Sequence, residues 1–174
     1  MEAGNQPILC EQGNRCGKCP PQGDIAIRFC ETITLHELFS VQGVTAQSAC
    51  IAYDTDYIGY VIDRSTMNAQ LPCGGTCPVN VYRISLIGAI PYIVSAGPVS
   101  SAQGVPVPVG AQGCAIVNQV VGYACGDAPE IPVIRYGDVS ASVEVEPAPC
   151  GHANKTTLTF KGVFTISIPA ECTQ

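Results

Sequence analysis

Thiols are the reactive groups that this chain carries in excess. Eleven cysteines stand at positions 10, 16, 19, 30, 50, 73, 77, 114, 125, 150 and 172. A thiol can ligate a metal, attack as a thiolate, or join a second thiol, and spacing helps to separate these uses. Cys16-Gly-Lys-Cys19 and Cys73-Gly-Gly-Thr-Cys77 have the C-x2-C and C-x3-C spacings of thiolate zinc ligands, with glycine easing the turn between them. The two pairs stand much farther apart than the roughly 15–20 residues of a zinc ribbon, and the other cysteines are not paired in this way. Zinc is therefore the lesser reading and disulfides the greater. Cys16 and Cys19 also have thioredoxin spacing, but Pro20-Pro21 follows where the helix that lowers the thiol pKa would have to start. An odd total leaves at least one thiol to stay free or to bond to another molecule.

Other chemistry is thinly represented. The two histidines, His36 and His152, sit in no hydrolase signature, and each reads as a packed, solvated or turn residue. Asp54/Asp56 and Glu144/Glu146 have the i, i+2 spacing that puts two carboxylates on one strand face, and the glutamates read as the solvent side of an amphipathic strand. No glycine-rich loop lies between a strand and a helix, so no nucleotide cradle is implied. Asn154-Lys-Thr156 fits a glycosylation sequon but reads more simply as a polar hairpin entry. The expectation is a protein that is not an enzyme, with no catalytic residue, no cofactor and no assigned metal ligand.

Charged residues make up 13% of the chain, against about 25% in ordinary soluble proteins, and the net charge is −6. The eight lysines and arginines are scattered singly, so nucleic acid is not an expected partner. No apolar run reaches the 18 or so residues of a membrane helix. A surface so poor in charge fits one that is covered by neighbours. Cysteines at this density normally mean an oxidising space. The first residues nonetheless lack the basic start and apolar run of a secretory signal. The expectation is a route to the outside without a recognisable signal peptide, or a leader removed earlier.

These thiols need elements to hold them. Residues 1–21 have no period of 2 or 3.6 and are rich in Gly, Pro and polar groups, as expected of a flexible arm bearing Cys10, Cys16 and Cys19. Fully stretched, such an arm reaches about 70 Å, far enough to lie on a neighbouring subunit. From residue 22 to 174 the pattern is that of strands. Val139, Ala141, Val143 and Val145 alternate with polar residues across Asp138–Glu146, as do Leu158, Phe160, Phe164, Ile166 and Ile168 across Thr157–Ile168. Further strands are expected at Asp24–Thr34, Ser48–Ile62, Val79–Leu86, Ile90–Ser95, Val105–Val109, Ala115–Tyr123 and Pro132–Tyr136. Thr34–Val41 suits a helical turn or a strand. Pro78, Pro91, Pro106 and Pro108 mark edges or bulges. About eight or nine short strands without helices between them predict an all-β fold: an antiparallel β-sandwich of jelly-roll or Greek-key type, with an extended N-terminal arm.

An arm bearing Cys10, Cys16 and Cys19 in front of a low-charge, cysteine-rich sandwich resembles the pilin-like subunits of bacterial endospore appendages. It is similar also to cysteine-rich spore coat and exosporium proteins. The segment Val81-Tyr-Arg-Ile-Ser-Leu-Ile-Gly-Ala-Ile-Pro-Tyr-Ile-Val-Ser95 resembles a run found in such spore-surface proteins. The resemblance implies synthesis without a signal peptide, oxidation as the spore matures, and a location on the spore surface. It implies also that Cys10, Cys16 and Cys19 cross-link to the sandwich of other subunits, and that an exposed sheet edge is augmented by a neighbour. The chain departs from the appendage pattern by lacking an adjacent Cys-Cys pair in the arm and by its greater length.

The expected function is thus a self-assembling structural subunit of a spore-surface or extracellular fibre or layer. Its partners are copies of itself, linked by disulfides into a homopolymer, and other spore-surface proteins. A head-to-tail contact that does not close on itself generates a filament. The alternatives are a monomeric adhesion or binding module stapled by internal disulfides and, behind that, a zinc-binding protein.

Overall fold

The computed structural model describes residues 23–70, 74–124, 131, 133–147 and 155–168. Seven strands run in chain order: β1 (Gly23–Leu35), β2 (Ala49–Tyr53), β3 (Ile58–Gln70), β4 (Thr76–Ser100), β5 (Pro106–Ala124), β6 (Arg135–Pro147) and β7 (Thr156–Ile168). A single 3-10 turn, Ala46–Ser48, precedes β2. All strand pairs are antiparallel. One sheet has the order β1–β7–β6. In the other, β4 is central, with β5 on one side and β2 and β3 end to end on the other. The two sheets pack face to face, so the alternation in the sequence resolves into an antiparallel β-sandwich. The chain enters on one sheet in β1, builds the opposite sheet with β2 to β5, and crosses back after Ala124. β6 then packs beside β2 at the flank of the sandwich.

The core forms where the inward phases of the two central strands meet. Leu158, Phe160, Phe164 and Ile166 of β7 face Ile84, Leu86, Ile90, Tyr92 and Val94 of β4, all at 5% exposure or less. Burying each large apolar side chain contributes roughly 1.5–3 kcal/mol. β1 inserts Phe29 into this layer, its ring centroid 4.6 Å from that of Tyr92 and 5.2 Å from that of Phe164.

Several expected strands are joined or divided. Val79–Leu86 and Ile90–Ser95 belong to one 25-residue strand, β4, because Gly88 accepts a positive φ of 141° without ending it. A side chain at Gly88 would overlap the Tyr57 carbonyl. Val105–Val109 and Ala115–Tyr123 likewise join in β5, which starts at Pro106, while of Pro132–Tyr136 only Arg135 and Tyr136 are in β6, which continues through Asp138–Glu146 over a bulge between Tyr136 and Val139; Pro132 lies outside the described residues. Ser48–Ile62, read as one strand, is broken at Asp54–Tyr57.

That break explains a proline in a central strand. The Pro91 carbonyl accepts from the Asp54 amide at 3.1 Å, so the nitrogen of Pro91 faces the same side, where β2 has ended and β3 has not begun. Its missing N–H therefore leaves no ladder bond unmade. Pro106 and Pro108 do lie on an edge strand, and Gly97-Pro98 occupies the bulge between Ala96 and Val99. Thr34–Val41 contains the end of β1, a turn closed by the Phe39 amide on the His36 carbonyl, and a two-way bridge from Ser40 to Ser100.

Candidate functional site

Four of the eleven cysteines fall among the described residues, namely Cys30, Cys50, Cys77 and Cys114, and each is a free thiol. Their strands decide where they point. Cys30 is on the outward phase of β1, directly across from Lys161 of β7 and two residues from Arg28 on the same face. Cys114 is on the outward phase of β5, across from Pro91. Cys50 points outward from β2 opposite Ser95, and Cys77 is half-buried on β4 opposite Ala69.

Each of the first two thiols lines a shallow groove on the outside of its own sheet. The groove at Cys30 has a volume of about 530 Å³ and includes Arg28, Ser140, Ser142, Lys161 and Val163. Lys161 is paired with Glu144, which together with the charges of Cys30 and Glu146 holds its ammonium above the usual range. Among the described residues Arg28 has no ion-pair partner. The groove at Cys114 has a volume of about 650 Å³ and is walled by Ala52, Asp54, Pro91, Ile93 and Gln112. Its one formal charge is the carboxylate of Asp54.

The edges of the sandwich bring these strands together. β1 and β5 are the edges of opposite sheets on the same flank, and among the described residues each has one hydrogen-bonded neighbour, β7 for β1 and β4 for β5. Into the seam between them β1 turns Glu31, whose carboxylate accepts from the Tyr92 hydroxyl at 2.8 Å. Gly113 of β5 makes room, since a side chain there would overlap both the Glu31 carboxylate and the Tyr92 hydroxyl. The Tyr92 hydroxyl is held far above its ordinary pKa, first by burial, then by the bond to Glu31 and its charge, and then by the charges of Cys114 and Cys30. An inward-pointing charge of this kind discourages indiscriminate pairing at an edge strand.

The outer faces differ. That of β1–β7–β6 presents Asp24, Arg28, Thr32, Thr34, Thr159, Lys161, Thr165, Ser140, Ser142 and Glu144, as a solvated sheet should. That of β4 and β5 presents Ile87, Ala89, Pro91, Ile93, Cys114, Ile116 and Val120, with Ser95, Gln112 and Asn118 among them, and Ile93 and Ile116 are 58% and 70% exposed.

The cysteines expected to cross-link, Cys10, Cys16 and Cys19, lie outside the described residues. So do Cys73, the C-x3-C partner of Cys77, and also His152 and the sequon at Asn154. Asp54 and Asp56 do not share a strand face as their spacing predicts; they lie in the break, where the Asp54 carboxylate accepts from the Asp56 amide at 2.9 Å. Glu144 and Glu146 are exposed on β6, and His36 accepts from the Leu38 amide in an exposed turn. Among the described residues no three metal-ligating side chains converge, and no helix is long and apolar enough to cross a membrane. The seam residue Glu31 escaped the sequence reading, although the alternation through Ile25, Ile27, Phe29 and Ile33 puts it on the inward face.

With this geometry in hand, the chain was compared with known proteins: no protein-family profile, no curated protein and no solved structure matches it.

Proposed function

We propose that this chain is a non-enzymatic structural subunit of a spore-surface or extracellular fibre or layer. It assembles with copies of itself through strand pairing at sheet edges and through disulfides between subunits. The observation that carries this proposal is the presence of two exposed free thiols, Cys30 and Cys114, on the two edge strands that flank one seam. A thiol on the outward phase of an edge strand is well placed to reach a second molecule. In this assembly the arm residues Cys10, Cys16 and Cys19 of one copy bond to Cys30 and Cys114 of another. The exposed apolar residues Ile87, Ile93, Ile116 and Val120 on the outer face of β4 and β5 support the same reading, since they gain by being covered. A bond between subunits differs in kind from one within a subunit, which stabilises by roughly 2–4 kcal/mol through the unfolded chain. It removes dissociation by dilution.

The test is a denaturing gel of the oxidised protein, run with and without reductant. A ladder that collapses to an 18.1 kDa band is the expected outcome. A single monomer band in both lanes would overturn the proposal in favour of an internally stapled binding module or, if metal is found stoichiometrically, a zinc protein.

A further inference from the structure

We propose that Cys30 is the thiol of an acceptor site for small disulfides that carry carboxylates, and that Cys114 disfavours the same reagents. The inference concerns each subunit by itself and holds whether or not subunits join. Both thiols are exposed on the outward phase of an edge strand, and each lines a shallow groove. Their surroundings differ in sign.

Cys30 stands between two cations. Register puts Lys161 directly across from it, a placement that brings the two Cβ atoms to about 4.5–5.5 Å. Arg28 lies two residues back on the same face, about 7 Å along the strand. Lys161 is close enough for the charge of Cys30 to help hold its ammonium protonated. Glu144 neutralises part of Lys161 from β6, whereas Arg28 has no ion-pair partner among the described residues, so the groove keeps a net positive charge. Ser140 and Ser142 add hydroxyls that can donate to a carboxylate. At about 530 Å³ the groove is within the roughly 300–1,000 Å³ of small-molecule sites. The groove at Cys114 is lined by the Asp54 carboxylate, with no cation among its lining residues. A carboxylate arriving there meets a like charge.

The step is thiol–disulfide exchange. The Cys30 thiol gives its proton to solvent, and the thiolate attacks one sulfur of the small disulfide. An S–S bond to the protein forms as the reagent's own S–S bond breaks. One small thiolate leaves with the electron pair and takes up a proton. Cys30 is thereby oxidised to a mixed disulfide, and half of the reagent is reduced to a thiol. The carboxylate of the attached half lies between Arg28 and Lys161. In water a unit charge at about 4–6 Å changes such an encounter by roughly 3- to 5-fold, and salt screens it.

The test pairs two reagents of similar length, dithiodipropionate, a dianion, and cystamine, a dication. The reduced full chain is pulsed with each at low ionic strength, and remaining thiols are alkylated. Mass spectrometry of the digest then counts modified Cys30 and Cys114. Dividing the Cys30-to-Cys114 ratio for the dianion by that for the dication cancels differences in thiol exposure and reagent reactivity. This quotient should be roughly 10 at low salt and fall toward 1 in about 1 M salt, where the screening length is about 3 Å. Arg28→Glu should lower it by roughly 5-fold or more, and Arg28→Lys should leave it near the starting value. Asp54→Asn, which keeps the oxygen that accepts from the Asp56 amide, should lower it by roughly 3-fold. A quotient near 1, one indifferent to Arg28→Glu, or a Cys30 that neither reagent modifies would overturn the proposal. None of these results bears on the reductant-sensitive ladder, so failure of this site and failure of the assembly are told apart.

Discussion

The two flanks of this sandwich solve the same problem differently. Each lies between edge strands of opposite sheets, and each buries a tyrosine there. On the β6 flank the gap is closed from within: the 3-10 turn packs on β6, and Tyr136 donates to the Thr55 carbonyl at 3.2 Å. Tyr60 on that flank has a buried hydroxyl with no hydrogen-bond partner among the described residues. On the β1 flank the tyrosine, Tyr92, is satisfied by Glu31, but the strands on either side carry the exposed thiols. The closed flank is filled with side chains and accepts an imperfect bond. The flank that bears the thiols is polar and hydrogen-bonded at its floor, which keeps the seam in shape.

The contrast breaks first at Tyr92. Tyr92→Phe leaves the half-buried Glu31 carboxylate without its donor, and unfolding in urea should show a loss of about 1–3 kcal/mol. Alkaline titration comes next. Burial and the nearby Tyr136 raise Tyr60 from 10 to about 12, and Tyr92 is raised as well. Above pH 10 the unfolded chain gives up these protons while the folded one retains them, so stability is whole below pH 10 and falls as pH climbs toward 12. Urea midpoints measured on the alkylated protein across this range should decline, less steeply in either Tyr→Phe variant. A flat profile would show that the two hydroxyls are freely solvated. The smallest effect belongs to Tyr60→Phe at neutral pH: removing an unsatisfied hydroxyl should cost nothing and gain up to about 1 kcal/mol. If Tyr60→Phe proved as damaging as Tyr92→Phe, the distinction between the flanks would fail.

What the sequence made legible follows from how each strand is solvated. β6 and β7 alternate cleanly because Ser140, Ser142, Glu144, Thr159, Lys161 and Thr165 face water, and period 2 locates both. β4 is apolar on its outer phase as well, with Ile87, Ala89, Pro91 and Ile93, so its alternation is blurred. Gly88 and Gly113 carry no sequence signal of their role, which is to let Tyr57 and the Glu31–Tyr92 pair come close. The seam was hidden for a different reason. Glu31, Tyr92 and Gly113 meet only because β1 and β5 close the same flank, and no local pattern carries that pairing.

Pro91 has a consequence for the alignment of β4 with its partners. Sliding β2 and β3 one residue along β4 would turn Ile84, Leu86 and Ile90 to the wrong side relative to their partners. It would also bring a carbonyl of the partner strands to a proline that has nothing to donate. The correct register is the one in which the gap and the proline coincide, so a misaligned hairpin is rejected by its own backbone. The proline therefore favours one register of β4 with β2 and β3 over its one-residue neighbours, whatever the state of the thiols.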